Sequence, residues 1–337
     1  MLQQHIHSES TGSLPYFVHV PANYQVGKPV PLIVMLHGCT QTAADFAAST
    51  RMNELAEQYL FIVAYPQQIA ANNRSLCWNW FKAANQKRGH GEAAMIAGIV
   101  HDIKLSEARW TIDPRRIYIA GLSAGGAMAS ILGATYPELF AAVGVHSGLG
   151  YQAATNIIDG LRAMRRGGPD PTKQGQAAYS AMGSVARVVP VIVFHGTSDH
   201  QVHPVNGDKA VQQWIYTNHL ASQGTFEARF DEPSHIEKRK VDGKRTHTVY
   251  MWADNNGREV QEYWKVDGLG HGWSGGSPGS SYSDQSGPDA SLAMYQFFMK
   301  HQINVQANVQ GDGKYMFWKR LRSLSERLLK RLPSATS

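Results

Sequence analysis

The apolar run Ile117-Tyr118-Ile119-Ala120 passes directly into Gly121-Leu122-Ser123-Ala124-Gly125, and the helix-compatible Ala127-Met128-Ala129-Ser130-Ile131-Leu132 follows. A strand, a tight turn of the form G-x-S-x-G and a helix must therefore succeed one another without a linker. Such a turn forces the serine into strained backbone, and a side chain at 121 or 125 would collide with the neighbouring strand or helix. It also sets Ser123 at a helix N-terminus, where the backbone offers positive potential to a reacting carbonyl. Few architectures supply that junction other than a parallel sheet with helices on its faces.

The rest of the chain keeps the same rhythm of short apolar runs, turns and amphipathic stretches, which argues for βαβ units and a sheet covered on both sides. The pattern predicts strands at 15–20, 32–36, 61–65, 116–120, 142–145, 191–194 and 263–266. Helices fit at 43–57, 91–110, 124–136, 210–222 and 290–300. With 337 residues, 43% hydrophobic and 17% charged, the chain can bury one large core, and whole-chain disorder is excluded. We expect a single catalytic domain over 1–303 with insertions at about 153–182 and 225–255. The second insertion contains the alternating 246–252 and reads as extra antiparallel strands. The glycine-punctuated 272–288 reads as a loop too flexible to be core, covering a site.

Ser123 requires a base and an orienting carboxylate, which follow in the chain order Ser, Asp, His. The apolar 189–194 runs into His195-Gly196-Thr197-Ser198-Asp199, placing Asp199 at the end of a strand where catalytic groups gather; Asp208 and Asp267 are weaker rivals. Fifteen histidines compete for the base. His271, in Gly268-Leu269-Gly270-His271-Gly272-Trp273, lies just past the final core strand and can reach back to the serine. The nearby His195, Asp199, His200 and His203 form no fixed ligand face, so no metal is expected, and no cofactor.

Acyl transfer also requires donors aimed at a developing oxyanion. One is the N–H of Ala124, after the nucleophile. The other is expected from Leu36-His37-Gly38-Cys39-Thr40, with Cys39 the choice and Thr40 the alternative. A Cys39–Cys77 disulfide, closing a loop of about 38 residues, would add about 4 kcal/mol in a chain-entropy treatment; in a reducing compartment both are buried thiols. Trp78, Trp80 and Trp273 are candidate substrate contacts, with core packing the plainer reading.

These segments together resemble the esterases related to poly(3-hydroxybutyrate) depolymerases, within the α/β-hydrolase fold. The resemblance rests on 36–41, 64–67, 77–81, 113–126, 195–199 and 271–276 and spans about 15–302. It implies a cofactor-free serine esterase or depolymerase acting on an ester or polyester. Relatives of this type also resemble feruloyl and acetylxylan esterases. A peptidase or acyltransferase on the same triad, and a non-catalytic granule-binding protein, are the rival readings.

Residues 304–337 read as a polar linker and a basic amphipathic helix, with Phe317, Trp318, Leu321, Leu324, Leu328 and Leu332 at helical spacing among Lys and Arg. Docking on the body is the first expectation for 314–332; contact with an anionic membrane or polymer granule, or a dimer contact, is the alternative. The formal charge of +6 is scattered through the body, which argues against nucleic acid as a partner. The N-terminal residues lack the pattern of a secretory signal, giving a cytoplasmic expectation with secretion, as in many members of the resembled family, as the alternative.

Overall fold

The computed structural model describes residues 2–9 and 12–303. Strand β3 (Val30–Leu36) shows what organises it. Leu32, Val34 and Leu36 enter one apolar cluster, Ile33 and Met35 another. A strand apolar on both faces must be covered on both, the condition of a buried parallel sheet. The same holds for β4 (Ile62–Pro66), β6 (Ala142–His146) and β7 (Val191–Gly196), every residue of which is buried. With β5 (Ile112–Leu122) and β10 (Glu259–Val266), these strands run parallel in the order β4-β3-β5-β6-β7-β10.

Antiparallel strands extend both edges. The hairpin of β1 (Gln3–Glu9) and β2 (Gly12–His19) joins β4, while β9 (His247–Ala253) and β8 (His235–Arg239) continue from β10. The sheet has ten strands among the described residues. Helices α1 (Ala43–Thr50), α2 (Met52–Tyr59) and α8 (Ala290–Met299) cover the face that carries Ile33 and Met35. On the other face lie α3 (Gly91–Leu105), α4 (Ala124–Thr135), α6 (Pro171–Met182) and α7 (Val205–Ala221). This is the α/β-hydrolase arrangement, a mostly parallel sheet between helical layers.

Besides the unpredicted strand β1, the structure departs from the sequence expectation at three places. The helix expected over 43–57 is two, broken at Arg51, whose φ of 56° and ψ of 19° are left-handed. The cause lies far along the chain: Ser277 N–H donates to Ser49 O, and Ser291 Oγ donates to Thr50 O, so the carbonyls that would continue α1 are taken. The segment 153–182, expected only as an insertion, contains α5 (Ile157–Arg166) as well as α6, capped by Asn156 and Asp170.

The loop 272–288 is the third. Far from being too flexible for the core, it sends Trp273 fully into it, and β11 (Trp273–Ser274) pairs with β12 (Ser283–Asp284). Met1–Ile303 form one compact unit. The linker and basic helix expected over 304–337 lie outside the described residues, so the contacts considered for 314–332 have no structural counterpart here.

Candidate active site

Because β5, β7 and β10 run parallel, their C-terminal ends reach the same edge of the sheet, the edge at which open α/β sheets gather reacting groups. Ser123 follows β5, Asp199 follows β7 and His271 follows β10. Three residues separated by as many as 148 positions (271 − 123) are thus carried to one edge by topology.

Ser123 stands between β5 and α4 with φ 57° and ψ −119°, a conformation a serine adopts only when its surroundings impose it. Its N–H donates to His146 O at 2.9 Å, tying the turn to the neighbouring strand. The flanking glycines are required by space. A Cβ on Gly121 would lie 2.4 Å from the Gly125 carbonyl carbon, and one on Gly125 would lie 2.1 Å from Leu36 O. Ala124 opens α4, so its N–H belongs to the first-turn amides that have no acceptor within the helix.

Asp199 and His271 meet directly, with His271 Nδ1 donating to Asp199 Oδ2 at 2.7 Å. The other oxygen, Oδ1, accepts from the Gln201 and Val202 N–H groups, each at 2.9 Å. A carboxylate can only accept, so the proton of neutral His271 sits on Nδ1 and its Nε2 keeps a free lone pair. Burial works against the Asp199 charge, yet the contacts with His195 and His271 outweigh it and hold the carboxyl well below the ordinary carboxylate range. The two turns are laced together. Thr197 and Ser198 N–H groups donate to Val266 O and Leu269 O, and Gly268 N–H donates to Thr197 Oγ1. A Cβ on Gly196 would lie 2.1 Å from Leu269 O, so only glycine lets the turns come this close.

The opposite side is built on His37. Its Nε2 accepts from Gln68 N–H at 3.1 Å, so Nδ1 carries the proton and donates to Gly38 O at 2.7 Å. Burial pushes the imidazole down to about 4, which leaves it neutral at physiological pH. Gln41 Oε1 takes the Gly38 N–H, and Trp78 Nε1 donates to His37 O. A disulfide joins Cys39 to Cys77. Behind it, the buried Glu92 carboxylate accepts from Gln68 Nε2 and from both the backbone and side chain of Asn79.

This arrangement separates the two oxyanion candidates. The Thr40 N–H donates to Ser75 O at 2.7 Å and is committed, which corrects the Thr40 alternative. The Cys39 N–H has no acceptor among the described residues. Tyr282, from the 272–288 segment, stands edge-on to His271 with ring centroids 6.3 Å apart, and its hydroxyl lies 3.5 Å from Thr40 Oγ1.

The tryptophans are not surface contacts. Trp78 and Trp273 are fully buried and Trp80 is 5% exposed. Trp78 supports the His37 turn, Trp273 stacks on His146 and donates to Ser291 Oγ, and Trp80 packs edge-on against Phe81. All three belong to the apolar core, Trp78 and Trp80 in one cluster and Trp273 in the other. Sequence reasoning weighed His195, which packs against Asp199, only as a metal ligand, and passed over His146, which accepts from Ser274 N–H.

The profile of the esterase PHB depolymerase family matches residues 14–232, more than half of the sequence. The chain belongs to that family. Poly(3-hydroxyalkanoate) depolymerase C of Paucimonas lemoignei is 36% identical over 77% of this chain and 59% of its own length. Feruloyl esterase B of Neurospora crassa is 32% identical over 54% of this chain and 63% of its own. The chain thus spans about three fifths of the length of these two relatives. Among solved structures, an acetyl xylan esterase from Aspergillus awamori superposes with a TM-score of 0.71 at 21% identity, covering 89% of this chain and 99% of that one, a likeness of fold. No described helix is long and apolar enough to cross a membrane.

Proposed function

We propose that this protein is a serine carboxylic-ester hydrolase with Ser123 as nucleophile, His271 as base and Asp199 as the residue that orients it. The observation that carries this reading is the 2.7 Å Asp199–His271 hydrogen bond at the sheet edge where Ser123 occupies its strained turn. His271 Nε2 takes the Ser123 proton as Oγ attacks the ester carbonyl, and the imidazolium is stabilised by Asp199. The Ala124 and Cys39 N–H groups receive the oxyanion. His271 returns the proton to the leaving alcohol, and a water activated the same way then releases the acid.

The substrate we infer is a hydroxyalkanoate ester, as an oligomer or as a polymer chain, in keeping with membership of the family and the similarity to a depolymerase. A plant-polymer ester is the second reading, supported by the similarity to a feruloyl esterase. The Cys39–Cys77 bridge favours an oxidising compartment, and with it export. Initial rates on a 3-hydroxybutyrate trimer, methyl ferulate and p-nitrophenyl butyrate, with Ser123→Ala as blank, test both. Preference for the trimer supports the first reading, preference for ferulate moves the substrate to the second, and activity undiminished in the blank rejects Ser123 altogether.

A further inference from the structure

Asp199 faces two imidazoles. Beside His271, its Oδ2 stands 3.5 Å from His195 Nε2, and His195 and Asp199 are both buried. His195 Nε2 lies 2.8 Å from Val202 O. A carbonyl only accepts, so the proton is on Nε2, and the positive edge of that N–H is presented to the carboxylate. Val202 also donates its own N–H to Asp199 Oδ1. The ring therefore pins, through the Val202 carbonyl, the same residue whose amide pins the acid.

The other ring nitrogen, Nδ1, is buried with no hydrogen-bond partner among the described residues. An unmet buried acceptor costs stability, and an apolar side chain would remove that cost. The preceding residues of β7, Val191-Ile192-Val193-Phe194, are all apolar and buried, so the strand readily accommodates one. Helix α7 packs directly on the ring: a Cβ on Gly207 would lie 2.9 Å from His195 Nδ1, so its orientation is fixed from behind. A histidine held in one orientation at a cost to the core, with its N–H beside the acid, is placed for work other than packing.

We propose that His195 is a positioning residue for the ester-cleaving reaction. It fixes the 199–202 turn so that Oδ1 stays on the turn amides while Oδ2 is held toward His271, and its N–H dipole favours the carboxylate charge. This inference rests on the triad reading above. The test compares His195→Gln, which returns an amide N–H near the Nε2 position, with His195→Asn, whose shorter side chain places it near Nδ1, and with His195→Leu, which has none.

In His195→Leu and His195→Asn, kcat falls roughly tenfold to a hundredfold, with KM within about twofold of the wild type. The low-field proton signal of the His271 Nδ1–H bond weakens with it. In His195→Gln both recover most of the way. Equal rates in the Gln and Asn variants, or wild-type kcat in a folded Leu variant, overturn the proposal. The Gln and Asn pair decides the matter even if the Leu variant does not fold. A Ser123→Ala control separates the two levels: an active control rejects the triad, whereas an inactive control with unaffected His195 variants rejects only this role.

Discussion

The two sides of the site are held by different means. Around Cys39 the chain is fixed by a disulfide, a neutral buried His37 and the Glu92 carboxylate with its ring of amide donors. Around Asp199 and His271 two turns are laced together by hydrogen bonds, one of them from an imidazole whose charge changes in the proposed reaction. In the proposed mechanism the oxyanion donor needs only to stay still, since its task is to present a dipole without reorganising. The base must pass a proton twice, so its support has to stabilise a charge that comes and goes. Damage to the first side should appear mainly in stability, and damage to the second mainly in rate.

The largest expected effect is on rate. Ser123→Ala lowers kcat by about 10⁶-fold, with little change in unfolding free energy. Next, Asp199→Asn lowers kcat by about 10⁴-fold, because the amide can donate to the ring and stabilises the wrong tautomer. Denaturant unfolding of that variant should differ from the wild type by far less than its kinetics do; a collapse of the fold would erase the distinction between the two sides.

The covalent tie gives the reverse pattern. Replacing Cys39 and Cys77 together with alanine lowers unfolding free energy by about 4 kcal/mol, following the closure of a 38-residue separation. The folded variant should retain most of its kcat on p-nitrophenyl butyrate at low temperature, since the Cys39 N–H belongs to the backbone. If the variant is as stable as the wild type, the bridge is not what holds this side.

The smallest effect is set by pH and again divides the two sides. Burial lowers His37 from 6.5 to about 4. The unfolded chain therefore takes up this proton first, and stability contributed above pH 6.5 is lost as pH falls toward 4. The difference amounts to about 3 kcal/mol. His146 and His301, also lowered by burial, act in the same direction. Asp199, lowered from 3.8, contributes nothing to that decline, because its stabilisation is present above its unfolded value and fades only below it. Glu262 and Glu92, raised by burial, act in the opposite direction. The His37 contribution is therefore read by urea unfolding from pH 7 to 4 as the difference between the wild type and a folded His37→Gln variant, which should lose less stability as pH falls.

What the sequence revealed follows the same division. The gathering of Ser123, Asp199 and His271 at one sheet edge was legible because each sits just past an apolar strand, and a parallel sheet brings strand ends together whatever happens between them. Cys39 was the choice over Thr40, but the contact that commits Thr40 was not legible, because Ser75, which takes the Thr40 N–H, lies 35 positions away (75 − 40). For Trp78 and Trp273 core packing was the plainer reading and the structure bears it out, while substrate contact stayed open because an aromatic side chain carries no mark of which face it will take. The break at Arg51 depends on Ser277 and Ser291, beyond the reach of any local pattern. Strand β1 was missed because it is polar and mostly exposed, with only His7 buried. By contrast, α5 and α6 were announced by Asn156 and by Asp170-Pro171, cap signals outweighed in the reading by the glycines around them.

The most direct test of the central claim is mass spectrometry after reaction with a fluorophosphonate. If Ser123 is a nucleophile activated by His271, one equivalent of label is carried on Ser123, labelling is abolished in Ser123→Ala, and it is slowed in Asp199→Asn in step with kcat. An unlabelled Ser123 in protein that still hydrolyses esters would contradict the account.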